Sequence, residues 1–416
     1  MSTDRFGNPF APALSYARGR ILASTEDDYR KLRHAWALIR AHGPESVFIV
    51  TGLEHGLAMT ADEIRWADDE IAPALYADRL KALALRHFGG SEALHDVAVF
   101  NRLTGATLAT HLSLVKPGDV EIGVSASHSH PSVVRAAAHA GARFIDTSSL
   151  DAFERSIEGE PRVALVVLTR LAVTYDLMPV EAIRTVVKLA HDKGARVYMD
   201  DAGGARVAPA AFDQPRMLEL GVDVGATGLD KYGTIGPRLG LLAGEAALVA
   251  RIRAKAFECG LEARQMLYAG VVRTLEQYTP ERVRDLIAST TRVAAALRPI
   301  FGARLHETPT TAQLRADDLL EMAMARAGVT EPPIVPYEAA ACFCMLLLQD
   351  FRMLTVHFVG MPPGTADILF KFIPPETLAR VGGPERFAKN VEVALGSLAA
   401  YVKTPDRIPA LLFGTA

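Results

Sequence analysis

The chain has 416 residues, of which 50% are hydrophobic and 22% charged, and its formal net charge is −3. That length exceeds one ordinary compact core, so a large domain with a smaller companion is expected. The near-neutral balance argues against nucleic acid or an anionic membrane as partner, since both call for basic patches, and no stretch reaches the roughly eighteen apolar residues of a membrane-spanning helix.

In chain order, residues 1–45 read as an N-terminal arm and helix. Ser24-Thr25-Glu26-Asp27 is a start signal, and Tyr29, Leu32, Trp36, Leu38 and Ile39 form an apolar stripe. The first residues carry no basic start before an apolar run, so no secretory signal is expected and a cytoplasmic location is predicted. A short strand at 46–50 enters Thr51-Gly52-Leu53-Glu54-His55-Gly56. Helix and strand then alternate: helix 77–88, strand 97–100, a helix from about 106, strand 120–124, helix 131–140, strands 143–145 and 163–168, helix 179–193, strands 197–200 and 222–227. The run from Val163 to Leu168 is apolar throughout, as in a parallel strand covered on both faces. The alternation predicts an α/β domain over 46–300, a mostly parallel sheet sandwiched by helices. Beyond a long helix near 286–297, strands are expected at 342–348, 354–358 and 368–372 and a helix at 384–402, making a smaller α+β domain over 301–416. Three cysteines cannot all pair, and Cys342 and Cys344 would face opposite sides of their strand, so with Cys259 they are expected to be reduced.

Four stretches carry chemistry. Asn101-Arg102-Leu103-Thr104-Gly105-Ala106-Thr107 joins a strand to a helix, where free N–H groups and the positive end of the helix dipole suit a phosphate dianion. Thr104, Gly105 and Ala106 are the candidates, although the same residues fit a plain threonine-capped loop. In Ser127-His128-Ser129-His130-Pro131-Ser132, His130 at a helix entry could stack on a flat aromatic ring; His128 is its rival, and two loop histidines without a role are the plain alternative. No cysteine or carboxylate cluster completes a zinc ligand set there.

Val197-Tyr198-Met199-Asp200-Asp201-Ala202-Gly203-Gly204 reads as a strand that ends on a carboxylate and opens into a glycine turn. Asp200 ends the apolar run, and a buried carboxylate without a cation is costly, which favours a cofactor partner. Lys231 follows 31 residues later, in Asp230-Lys231-Tyr232-Gly233-Thr234-Ile235-Gly236. An aspartate at one strand end and a lysine at the next point to pyridoxal 5′-phosphate (PLP): the lysine binds the cofactor aldehyde as a Schiff base, and the aspartate keeps the ring nitrogen protonated. A surface lysine in a glycine loop is the commoner alternative, but it does not explain the order of the other three stretches.

That order resembles fold-type I PLP enzymes, above all the bacterial selenocysteine synthase (seryl-tRNA selenium transferase) family and its shorter relatives, which include glucosaminate-phosphate ammonia-lyases. The resemblance rests on Val50-Thr51-Gly52, on 100–106, on Gly118-Asp119-Val120 running to His130, on 199–204, on Thr227-Gly228-Leu229-Asp230-Lys231 and on Gly236-Pro237, and it spans about residues 45–275. It implies the PLP-dependent transferase-like fold, at least a homodimer, and chemistry at the α and β carbons of an amino acid or amino-sugar acid. Cofactor contacts are then expected from Lys231, Asp200, His130, Thr104, Gly105, Ala106 and Gly203. The selenium transferases carry a basic Arg-x-x-x-Lys patch after the lysine; here Glu262 and Gln265 stand in that stretch, so selenium transfer is not expected. Arg264-Gln265 is similar to a segment of threonine aldolases in which an arginine reaches the partner subunit's cofactor phosphate, which makes Arg264 a further candidate; a solvent-facing helix arginine is the plain reading.

The reaction expected from this resemblance is α-proton abstraction by Lys231 followed by β-elimination. An aminotransferase or an aldolase comes next, and a non-catalytic PLP-fold binding protein is the remote alternative. Arg102, Arg170, Arg238 and Lys371 are candidates for the substrate carboxylate, and Glu54 and His55 for further substrate contacts.

Overall fold

In a computed structural model describing residues 2–12, 14–57, 59–355 and 365–414, the apolar runs of the middle of the chain form one seven-stranded sheet. Its order is His95–Phe100, Gly240–Glu245, Val224–Gly228, Arg196–Asp200, Leu165–Thr169, Val120–Val124, Arg143–Thr147. Only Gly240–Glu245 is antiparallel to its neighbours; the remaining pairings are parallel. This strand is absent from the sequence reading, because its Gly240 and Gly244 interrupt the apolar signal. The glycines answer to backbone crowding: a Cβ on Gly240 would stand 2.8 Å from the Arg102 carbonyl oxygen, and one on Gly244 would stand 2.5 Å from that of Asp223.

Alternate strand residues enter opposite helical layers, as the two-residue period requires. Val97, Val99, Val166, Leu168, Val197 and Met199 pack with residues of the helices Ile71–Phe88, Leu150–Gly159 and Val180–Asp192. Ala98, Phe100, Leu165, Val167 and Tyr198 pack with the helices Leu103–Leu114, Pro131–Ala140 and Ala246–Cys259. Both faces are covered, which is the α/β architecture that the alternation predicted.

The chain divides into two compact units, residues 53–284 and residues up to 52 together with those from 285 onward. This differs from a division at 45 and 300, because Leu32 and Ala35 of the helix Thr25–His42 share one core with Phe343, Leu347 and Leu395 of the C-terminal region. That unit also holds a three-stranded antiparallel sheet ordered Ile368–Lys371, Thr311–Leu314, Leu305–Thr308.

The strand expected at 342–348 is instead the middle of the helix Pro336–Phe351. Residues 339–348 are buried on all sides, so neither period is written in them, and only length and flanks decide. Pro336 at the first turn and Arg352 in the left-handed region (φ 59°) bound sixteen helical residues. Cys342 and Cys344 are buried and free, about 200° apart around the helix rather than on two strand faces. The strand expected at 354–358 is seen as Met353–Leu354; residues 356–358 lie outside the described residues. No helix among the described residues is long and apolar enough to cross a membrane.

Candidate active site

The strands His95–Phe100, Val120–Val124, Leu165–Thr169, Arg196–Asp200 and Val224–Gly228 all run one way, so their C-terminal ends open on a single edge of the sheet. From Val120–Val124 the chain goes outward to Arg143–Thr147 and then returns to the other side at Leu165–Thr169. Such a reversal leaves a crevice beyond the carboxyl ends. The strand Arg196–Asp200 ends on Asp200, and the loops that follow the other strands carry the turn 101–106, His130, Arg170 and Lys231, so this edge gathers residues far apart in the chain.

Asp200 pairs in register with Ala226, one strand from the segment that carries Lys231. It is 4% exposed, and its Oδ1 has no hydrogen-bond partner among the described residues. Burial pushes its carboxyl up, Lys231 pulls it down and Asp201 raises it again, for a net value of about 6. A buried carboxylate oxygen without a donor is rare in proteins and costly. A protonated ring nitrogen would supply that donor, so Asp200 fits a PLP pyridine.

Asp201 points elsewhere. It binds the guanidinium of Arg170, whose Nε donates to Oδ1 at 3.1 Å and whose Nη2 donates to Oδ2, while Nη1 donates to the Pro215 carbonyl at 2.7 Å. Both side chains of the pair are wholly buried. Arg170, a candidate for the substrate carboxylate, is therefore an internal counter-ion. The aspartate beside Asp200 needed a cation, and the arginine that ends the adjacent strand provides it.

The methylenes of Lys231 lie across Gly228, where a Cβ would stand 2.9 Å from the lysine Cε. The backbone then turns through two residues with positive φ, Tyr232 (41°) and Gly233 (100°). The Tyr232 hydroxyl meets that of Tyr175 (φ 67°) at 2.7 Å in a buried pair. Two non-glycine residues in this region mark stored backbone strain, held in place by packing. Gly203 belongs to the same packing, because a Cβ there would stand 2.1 Å from the Tyr232 ring. From below, buried Arg206 donates through Nη1 to the carbonyls of Gly228 (2.9 Å) and Lys231 (3.1 Å).

The phosphate-turn candidate is the start of the helix Leu103–Leu114. The Gly105 and Ala106 N–H groups already donate to the Arg102 carbonyl, at 2.9 and 3.2 Å, and Thr104 is exposed. Arg102 and Arg238 flank this turn. Phe100 pairs with Gly240, so the antiparallel register continues to place 102 opposite 238. Burial, and then the charge of Arg102, lower the Arg238 guanidinium, with Asp230 opposing them. Two arginines so close favour an anion between them.

His130 caps the helix Pro131–Ala140, its Nδ1 accepting from the Ser132 N–H at 3.1 Å; His128 is exposed. Arg264 is an exposed residue ion-paired with Asp69. Lys371 ends the strand Ile368–Lys371 of the other unit, where it is buried.

One group is clearer in three dimensions than in the sequence. Residues 53–56 are stitched to 230–236: Glu54 N–H donates to the Asp230 carbonyl at 3.2 Å, and Gly56 and Gly236 N–H donate to the Gly236 and Glu54 carbonyls at 3.1 Å each. This sets His55 Nε2 3.2 Å from Asp230 Oδ2. Burial works against the Asp230 carboxylate, but Lys231, His55 and Arg238 hold it down to about 2.

No protein-family model matches the chain. Solved structures with the same fold include an alanine–glyoxylate aminotransferase from Nostoc (TM-score 0.58, 14% identity, covering 84% of this chain and 95% of that one). A SepCysS structure in complex with the SepCysE N-terminal domain is equally similar (TM-score 0.59, 13% identity, 85% and 95%). At these identities they establish the fold alone, which is that of fold-type I PLP enzymes. Sequence relatives go further. A UPF0425 pyridoxal phosphate-dependent protein of Methanosphaera stadtmanae is 29% identical over 338 residues, 80% of this chain and 84% of that one. Another, from Methanothermobacter thermautotrophicus, is 30% identical over 356 residues, 84% of this chain and 89% of that one. With Asp200 fitted to a pyridine ring and likeness running over most of both sequences, the chain belongs to the UPF0425 pyridoxal phosphate-dependent protein family, and PLP is its cofactor.

Proposed function

We propose that this protein is a PLP-dependent lyase that removes the α-proton of an amino acid or amino-sugar acid and expels a β-substituent. The observation that carries the reading is the partnerless Asp200 Oδ1, buried one strand from Lys231. Bound PLP supplies an electron sink for the pair left at Cα. Lys231 is the residue that would hold the cofactor, and its Nζ would take the Cα proton of the substrate. Asp200 keeps its charge at neutral pH and faces the ring nitrogen. His130, its ring held by the Ser132 N–H, would stack on the cofactor ring. Thr104, Gly105 and Ala106 would flank the phosphate end of the cofactor, with the Gly105 and Ala106 N–H groups already spent on the Arg102 carbonyl and Gly203 packed against the Tyr232 ring; Arg264 would leave Asp69 to reach the partner subunit of a homodimer. Arg102 and Arg238 are the arginines left to receive the substrate carboxylate once Arg170 is assigned to Asp201. The likeness to ammonia-lyases in the stretches around Asp200 and Lys231 supports β-elimination ahead of transamination or retro-aldol cleavage.

Borohydride reduction of the holoprotein followed by peptide mass mapping tests the lysine. The pyridoxyl group is expected on Lys231, and a label on another lysine refutes the assignment. Ammonia release from hydroxy amino acids and amino-sugar acids then tests the branch. Transfer of the amino group to a keto acid, without net ammonia release, refutes the lyase reading.

A further inference from the structure

Asp230 is the carboxylate beside Lys231 that the scheme above leaves without a role, and it holds an imidazole. His55 Nε2 lies 3.2 Å from Asp230 Oδ2, and Arg238 Nε lies 3.7 Å from the same oxygen. The carboxylate is 3% exposed and the imidazole 42%. Charged on one side by Arg238 and Lys231, Asp230 accepts from Nε2–H and leaves Nδ1 as the free nitrogen, without a partner among the described residues. Three backbone hydrogen bonds to 230–236 fasten the loop that carries His55. Its other anchor is Glu54, whose carboxylate is bound by Arg282. The charged groups around the imidazole are thus Asp230, Lys231 and Arg238 on the loop it packs against, with Glu54 and Arg282 beside it. The helix Tyr268–Glu276 meets this loop through uncharged Gly270, which Leu57 overlies.

We infer that His55 is a second acid–base group of the site, positioned by Asp230, and that it protonates the leaving β-oxygen. This rests on the lyase reading. The step balances as follows: the Cα–H bond breaks with its proton passing to Lys231, its electron pair forms the Cα=Cβ bond, the Cβ–O bond breaks, and the oxygen takes a proton from the His55 imidazolium and leaves as water. Separate groups at the two carbons avoid asking one lysine to act as base and acid in the same step.

The test compares L-serine, whose hydroxyl needs a proton to leave, with β-chloro-L-alanine, whose chloride does not. In His55→Gln holoenzyme the serine-to-chloroalanine ratio of ammonia release is expected to fall about 100-fold or more, with Asp230→Asn moving it the same way. An unchanged ratio overturns the role of His55 while leaving the lyase reading intact. A wild type that exchanges Cα–H of both compounds with deuterated solvent but releases no ammonia overturns the lyase reading, and the leaving-group role falls with it. A readout independent of turnover is the 15N spectrum of the cofactor-free protein at alkaline pH, with His55 assigned by its absence from His55→Gln. The proton is expected on Nε2, with that preference lost in Asp230→Asn; a proton on Nδ1 in the wild type overturns the geometry.

Discussion

Replacing Asp200 by asparagine separates what the carboxylate does for the cofactor from what it costs the fold. The Asp200 carboxyl is raised from an ordinary 3.8 to about 6 by burial, despite the opposing charge of Lys231. A group with a raised folded-state pKa contributes stability that is fully present below the unfolded value and is lost as pH rises through the folded one. The wild type without cofactor therefore loses stability between about pH 4 and 6 relative to the asparagine variant. The full difference is on the order of 3 kcal/mol. Urea denaturation of cofactor-stripped protein at pH 5 and pH 7 measures it: Asp200→Asn should be the more stable, with the gap widening by about 1 kcal/mol between the two. In the holoprotein the order should reverse, since a protonated ring nitrogen pairs with a carboxylate and not with an amide. A variant without cofactor that is less stable than the wild type at pH 7, or a gap that ignores pH, would refute the reading of Asp200 as a carboxylate whose burial is only partly offset.

Further outcomes follow from the same geometry. Arg170→Met strands Asp201 in the interior and should lower unfolding stability by about 3–5 kcal/mol, measured by urea denaturation, whereas Arg238→Met should raise KM with little change in the unfolding midpoint. Gly203→Ala drives a Cβ to 2.1 Å from the Tyr232 ring; a loss of about 1–3 kcal/mol and weaker cofactor retention on dialysis are expected. Glu121, buried and raised to about 8 first by burial and then by Asp119, lies 3.5 Å from His111, which burial lowers to about 4. The wild type should therefore lose stability relative to Glu121→Gln as pH rises from 6 to 8, by about 2 kcal/mol, in denaturation midpoints at the two pH values.

Much of the fold was legible because buried parallel strands leave continuous apolar runs and their covering helices leave periodic ones. Where a segment is buried on all sides, as at 339–348, both periods vanish, and a helix there cannot be told from a strand by pattern. The antiparallel strand Gly240–Glu245 was invisible for a related reason, since its glycines serve the close passage of other backbone. At the candidate site, the Asp200 and Lys231 stretches stood out because PLP chemistry asks for an aspartate and a lysine at or just past successive strand ends. The competition between Asp200 and Asp201 could be argued from the strand boundary, but the Arg170 partner that explains it could not.

By itself the sequence determined the α/β class, the order of the cofactor stretches along the chain and the absence of a selenium-transferase basic patch, because these depend on local residue type and period. Tertiary structure alone decided that Arg170 is consumed inside the protein, that the charge of Arg102 is felt at Arg238, and that His55 meets a carboxylate 175 residues away. Those facts arise where separate loops converge at one sheet edge, and nothing in local pattern encodes which of them will touch.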